Sequence, residues 1–308
     1  MRKNIIWRAA LVLMALTLAT TSLTLSSAKY FTDYNNNAGW STAEFGVYQM
    51  LSYTGSTSVT VPKGKWAFYV QGYTGSRGSG NYSANHRRPG KIWGIYTLAS
   101  DNTFTAANAP AGSVDEGSGG KGGDGRYIYF GSTAPTSGAQ TMLVAVAGGG
   151  GGSGATGGGG DAGWADGHNG GAGWQGGRRG NDNSNNNSNS GRDGGGGAQS
   201  GGAGGTWACP AANGSGSSGG FLQGGRTNSA SGGTYNRGSG GGGWYGGGAG
   251  GPGGTSGAGG GGSSMSNATS GIPDSYANPS NYYEYAVNYF WSLNTETDGA
   301  VLLVWLGP

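Results

Sequence analysis

The chain has 308 residues, of which 74 are glycine and only 10% are charged, and its formal net charge is +3. That much glycine leaves too few apolar side chains for two conventional cores, and a single cysteine, Cys209, excludes an intrachain disulfide. So small a basic excess gives no electrostatic case for a nucleic acid or an anionic membrane as partner.

Residues 1–28 read as a secretory signal peptide, and the stretch 7–33 resembles the leaders of secreted Gram-positive surface proteins. Arg2, Lys3 and Arg8 form a basic region, residues 9–25 are apolar, and Ser26, Ser27 and Ala28 supply a small-residue exit, with cleavage after Ala28. The alternative is an uncleaved anchor, because residues 5–25 are long enough to span a bilayer. Cleavage removes three of the 17 Lys and Arg and none of the 14 Asp and Glu, leaving 14 of each sign. The expected location is secreted or at the cell surface, with membrane contact only through an uncleaved leader.

Residues 29–46 read as an extended N-terminal arm, and residues 47–147 as the first part of a β-sandwich. Thr57–Val61 alternates and stops at the turn signal Pro62-Lys63-Gly64. Residues 65–73 resume with Trp66, Phe68 and Val70 on one face and Ala67, Tyr69 and Gln71 on the other, which predicts a half-buried hairpin. Residues 74–90 are a polar loop, Lys91–Leu98 is a strand, and residues 99–125 read as long and irregular. Two more strands are predicted at 126–130 and 141–147. Beyond the glycine tract, 263–280 is a Ser/Asn/Pro loop and 281–291 a strand; the last strand, 299–306, is apolar on both faces and so central.

Residues 148–262 hold about 50 of the 74 glycines. This composition without a Gly-X-Y period is ordinarily that of a low-complexity spacer. Flanking apolar strands, and interruption by Trp164, Trp174, Trp207, Trp244 and Tyr245, favour order instead. Each ordered glycine costs about 0.5–1 kcal/mol relative to alanine. An isolated three-residue-per-turn glycine helix has no internal hydrogen bonds to offset that cost. Helices side by side pair their N–H and C=O groups laterally, at about 0.5–1.5 kcal/mol net per bond. The tract is therefore either a bundle of antiparallel polyglycine II helices or unstructured, with residues 181–190 as a polar tip inside it.

The strings SVTVPKGKWAFYVQGYTG at 58–75, SGGFLQGG at 218–225, GGGGWYGGGAG at 240–250, GAGGGGSS at 257–264 and GAVLLVWLGP at 299–308 carry a resemblance. They are similar to the glycine-rich domain family typified by the extracellular region of anaplastic lymphoma kinase and its leukocyte relative, which has secreted bacterial members. The resemblance covers about residues 47–308 and implies an all-β, jelly-roll or tumour-necrosis-factor-like antiparallel sandwich with an inserted bundle of polyglycine II helices. Residues 28–33 also resemble biofilm-matrix fibre proteins. The stretch 81–89 and the Asn/Ser tip depart from the family pattern.

Catalytic readings fare poorly. No segment resembles a kinase domain: the His-Arg-Asp loop and the Asp-Phe-Gly string are missing. Residues 120–125 satisfy GxGxxG but lead into a strand, so no helix N-terminus faces a phosphate. Residues 216–220 satisfy the hydrolase elbow without its strand-turn-helix setting, and His86 and His168, the only bases of their kind, read as solvated loop residues. No zinc-ligand spacing is present; a calcium site from Asp161 and Asp166 has no further support. Arg178, Arg179, Arg192, Arg226 and Arg237 lie beside glycine as in RNA-binding segments, but four aspartates of the tract offset them.

The expectation is a non-enzymatic adhesive or structural module without cofactors. Trp164, Trp174, Trp207, Trp244 and Tyr245 serve as walls and caps of the bundle, or else as an aromatic platform for an extracellular protein or glycan. The alternatives are a matrix or fibre subunit that self-associates through an exposed strand or the N-terminal arm, and a flexible spacer.

Overall fold

The computed structural model describes residues 50–53, 57–78, 87–114, 119–140, 142–154, 157–182, 194–198, 216–227, 237–251, 257–272 and 299–307. Several segments read from the sequence lie outside these residues: the leader 1–28, the arm 29–46, most of the tip at 181–190, the strand 281–291, His86, Trp207 and Cys209.

The described residues are all-β, with strands and no helices. In chain order the strands are β1 (Met50–Tyr53), β2 (Thr57–Val61), β3 (Gly64–Gln71), β4 (Lys91–Leu98), β5 (Asn102–Ala109), β6 (Gly125–Phe130) and β7 (Leu143–Ala147). Short strands follow inside and after the glycine tract: β8 (Gly157–Gly158), β9 (His168–Asn169), β10 (Gly173–Gln175), β11 (Asn181–Asp182) and β12 (Ser264–Ser266). The last is β13 (Ala300–Gly307). They form a five-stranded sheet in the order β1-β13-β3-β4-β9, a six-stranded sheet in the order β10-β12-β7-β6-β5-β2, and a β11-β8 pair. All pairings are antiparallel except β4 with β9.

The two large sheets share one core. Trp66, Phe68 and Val70 of β3, Ile92 of β4, and Val301 and Leu303 of β13 meet Phe104 of β5, Ile128 and Phe130 of β6, and Val144 of β7. Trp66, Val70, Ile92, Phe104, Ile128 and Val301 are wholly buried, so this seam carries most of the hydrophobic stabilisation. Trp66, Phe68 and Val70, read from the sequence as one face of β3, line it together.

Four expectations are corrected. The turn at Gly64, whose φ is +132°, does not fold β3 back onto β2. It carries the chain across the core, so that β2 pairs with β5 in one sheet and β3 with β4 and β13 in the other. Nor is β3 half-buried: Ala67, Tyr69 and Gln71 on its second face are at most 9% exposed. Residues 99–125 contain a full strand, β5, whose Phe104 and Ala106 enter the core. The loop read at 263–280 begins with β12, wedged between β10 and β7. The final strand is flanked on both sides, by β1 and β3, as its two apolar faces require.

Candidate binding surface

The glycine-rich segments join the sheets through backbone hydrogen bonds with a regular repeat. Gly149, Gly150 and Gly151 donate in turn to the carbonyls of Gly242, Tyr73 and Gly160. The next three residues, Gly152, Ser153 and Gly154, donate to Ser239, Ser76 and Gly157, returning to the same three neighbours. The carbonyls of Gly149 and Gly152 accept from Gly262 and Gly259, and those of Gly150 and Ser153 from Gly123 and Gly120. One segment is thus bonded to five others, with a period of three residues. Residues 238–242 repeat the pattern, donating in turn to Gly257, Gly120, Gly225, Gly260 and Gly123.

This approach leaves no room for side chains. A Cβ on Gly150 would lie 1.8 Å from the Arg87 carbonyl oxygen, and one on Gly152 would lie 1.9 Å from that of Gly120. Where serine replaces glycine inside, its hydroxyl joins the network. Ser239 Oγ accepts the Gly122 N–H at 2.8 Å and donates to the Gly112 carbonyl at 2.6 Å. Ser264 Oγ likewise links the Gly148 N–H to the Gly163 carbonyl, at 2.9 and 2.6 Å.

A buried carboxylate pins the 87–90 segment to the tract. Asp161 accepts the backbone N–H groups of Arg87 and Arg88, both at 2.8 Å, and the Arg88 guanidinium at 3.0 Å. Its side chain is fully buried, and Arg178 stands 3.9 Å away. Burial pushes the Asp161 carboxyl up, but the donors of Arg88 and Arg87 outweigh it and hold the carboxyl below its ordinary range. Arg88 also pairs with Asp166, so a guanidinium bridges the two aspartates. Among the described residues, no group of three or more His, Cys, Asp or Glu is arranged to hold a metal, and no helix is long and apolar enough to cross a membrane.

His168 is not a solvated loop residue. It lies in β9, paired with β4, and stacks on the Trp164 ring at 3.8 Å and 5°. Trp164 packs against the inter-sheet core with a φ of +52°, in the left-handed region. Residues 120–125 run into β6, and 216–220 end in a turn closed by reciprocal Gly220–Gln223 backbone bonds.

The remaining aromatic residues gather elsewhere, on the outer face of the six-stranded sheet. Tyr127, Tyr129, Leu143, Val146 and Met265 form a second apolar cluster there, covered by Phe221, Leu222 and Trp244. From this cover a row of rings runs outward. Phe221 meets Tyr245 at 5.7 Å, Tyr245 meets Trp244 at 5.3 Å, and Trp244 meets Trp174 at 6.3 Å. Trp174, on β10, is 44% exposed. The Trp244 indole N–H donates to Gln140 Oε1 at 2.8 Å.

Leu222 holds the turn that presents Phe221, with a φ of +53° and its N–H on the Trp244 carbonyl. A leucine in the left-handed region costs about 1–3 kcal/mol and persists only where its surroundings enforce it. Phe221, Leu222 and Gln140 were not identified from sequence, although the SGGFLQGG string that holds the first two was noted; a large apolar pair isolated between glycines was the available signal. A scan against models of known protein families matches none of them, and a search of curated proteins finds no match.

Proposed function

We propose that this chain is a secreted or cell-surface, non-enzymatic recognition module, in which a rigid glycine body fused to a β-sandwich of jelly-roll type presents a binding surface. In this reading the laterally bonded segments are polyglycine II helices. The three-residue return of the 149–154 donors to the same neighbours supports it, since that helix has three residues per turn and no internal bonds. The sequence resemblance to the glycine-rich domain of anaplastic lymphoma kinase points the same way, and residues 1–28 would deliver the protein to the outside.

The single observation that carries the functional part is the ring row ending in Trp174. An indole 44% exposed on a rigid mount, rather than folded into the apolar cluster beneath it, is what a binding surface needs. A second reading, assembly into fibres, is favoured by the exposed edge strand β10, which pairs with β12 alone among the described residues. Size measurement and electron microscopy of the purified protein separate the two. A monomer that coats cells or extracellular material supports recognition; filaments overturn it in favour of assembly.

A further inference from the structure

We infer that the Trp174–Trp244–Tyr245 row is a binding site for a neutral polysaccharide chain. The inference rests on the recognition reading above and names its ligand class. Three properties of the row carry it. The rings follow one another at 6.3 and 5.3 Å and are tilted by 54° and 59°, so they form a stepped platform rather than a closed stack. An aromatic face bears a negative quadrupole and is apolar, and the C–H face of a pyranose is its natural complement.

Among the described residues, Gln140, Phe221 and Leu222 border the row, and none of them is charged. A phosphorylated, sulfated or uronic-acid ligand would find no cation among these residues. The polar rim is an amide: Gln140 accepts the Trp244 indole N–H on its Oε1 and donates one N–H to the Ser137 carbonyl at 3.0 Å, which fixes its plane and leaves its second N–H as a donor for a hydroxyl.

Rigidity is built in. Trp244 lies between the Ser263 carbonyl, which takes its backbone N–H at 2.9 Å, and the Leu222 N–H, which it accepts at 3.2 Å. Phe221 is held edge-on to Tyr245 by the enforced Leu222 turn, so little ordering entropy is lost when a ligand arrives. A peptide fits less well. Its main recognition device is addition to a sheet edge, and the edge strand that carries Trp174, β10, is three residues long.

The test is titration calorimetry and tryptophan fluorescence on the full chain from a secreting host, with cellohexaose, chitohexaose, mannohexaose and, as an anionic control, polygalacturonate. At least one neutral hexasaccharide is expected to bind, to perturb indole emission, and to do so independently of salt. Trp174→Ala should weaken that binding at least about tenfold, in line with the loss of one stacking face. Trp174→Tyr, which keeps a face, should retain most of it, separating loss of the platform from loss of the fold. Preference for polygalacturonate, or equal binding by Trp174→Ala, overturns the site. If no neutral sugar binds while the protein still coats cells, the ligand class is wrong and the recognition reading survives; if the protein coats nothing, both fall.

Discussion

Gly150 and Arg87 approach so closely that a Cβ on the glycine would sit 1.8 Å from the arginine's carbonyl oxygen. Neither backbone has room to yield. The Gly150 N–H is bonded to Tyr73 and its carbonyl to Gly123, while the Arg87 N–H is bonded to Asp161. Gly150→Ala is therefore expected to destabilise the protein by about 3 kcal/mol, as an overpacked site with fixed walls. Gly138, where nothing lies within 4 Å of an added Cβ, is the control, and its alanine variant should stay within about 0.5 kcal/mol of the parent. Urea denaturation midpoints of the two variants check the pair.

Serine inside the glycine body acts as a two-way connector. Ser239→Ala removes an acceptor from the Gly122 N–H and a donor from the Gly112 carbonyl, both in the interior. Two backbone groups then lose their partners, so a loss of about 2 kcal/mol is expected. Thermal unfolding followed by circular dichroism reads it out. Ser239→Gly should cost about as much, which would show that the hydroxyl and not the small size matters.

Asp161 is expected to make the fold sensitive to acid. Its carboxyl lies below the ordinary value of 3.8 in the folded state, because the donors of Arg88 and Arg87 favour the anion. A depressed folded pKa means that the stabilisation is fully present above the unfolded value and is lost as pH falls through the folded one. Stability should thus be flat from neutrality to about pH 5 and decline below about pH 4. Asp161→Asn should be less stable at pH 7 by about 3 kcal/mol, having one oxygen where several donors converge, and should lose part of that acid decline. Denaturation midpoints of both proteins across pH 3–7 measure the difference.

Legibility in the sequence followed side-chain size. Trp66, Phe68 and Val70 announce one face of β3, the one that meets the inter-sheet core, and the uninterrupted apolar run of β13 announces a strand flanked on both sides. β5 was missed because Asn102–Ala109 is mostly Ala, Asn and Thr, with Phe104 its one large core residue. β12 was missed for the same reason, being serine on either side of Met265. The Pro62–Gly64 turn signal marked where β2 ends, but a turn does not encode whether the next strand rejoins its own sheet or crosses to the other.

In the glycine tract, composition was enough to pose the choice between lateral bonding and no structure. It could not name the partners, because glycine has no side chain with which to specify register. The residues that do specify it, Ser239, Ser264 and Asp161, act on groups between 73 and 127 positions away. Of the aromatic residues singled out, Trp174, Trp244 and Tyr245 come together, whereas Trp164 belongs to the His168 stack.

The central claim is that a polypeptide nearly without side chains is held rigid by its own laterally paired peptide groups. Amide hydrogen exchange resolved at residues 149–153, 238–242 and 259–263 measures those groups directly. Protection within about tenfold of that at Trp66–Val70 in the core of the sheets is the predicted result. Exchange at free-peptide rates in the glycine segments, with β3 still protected, would contradict it.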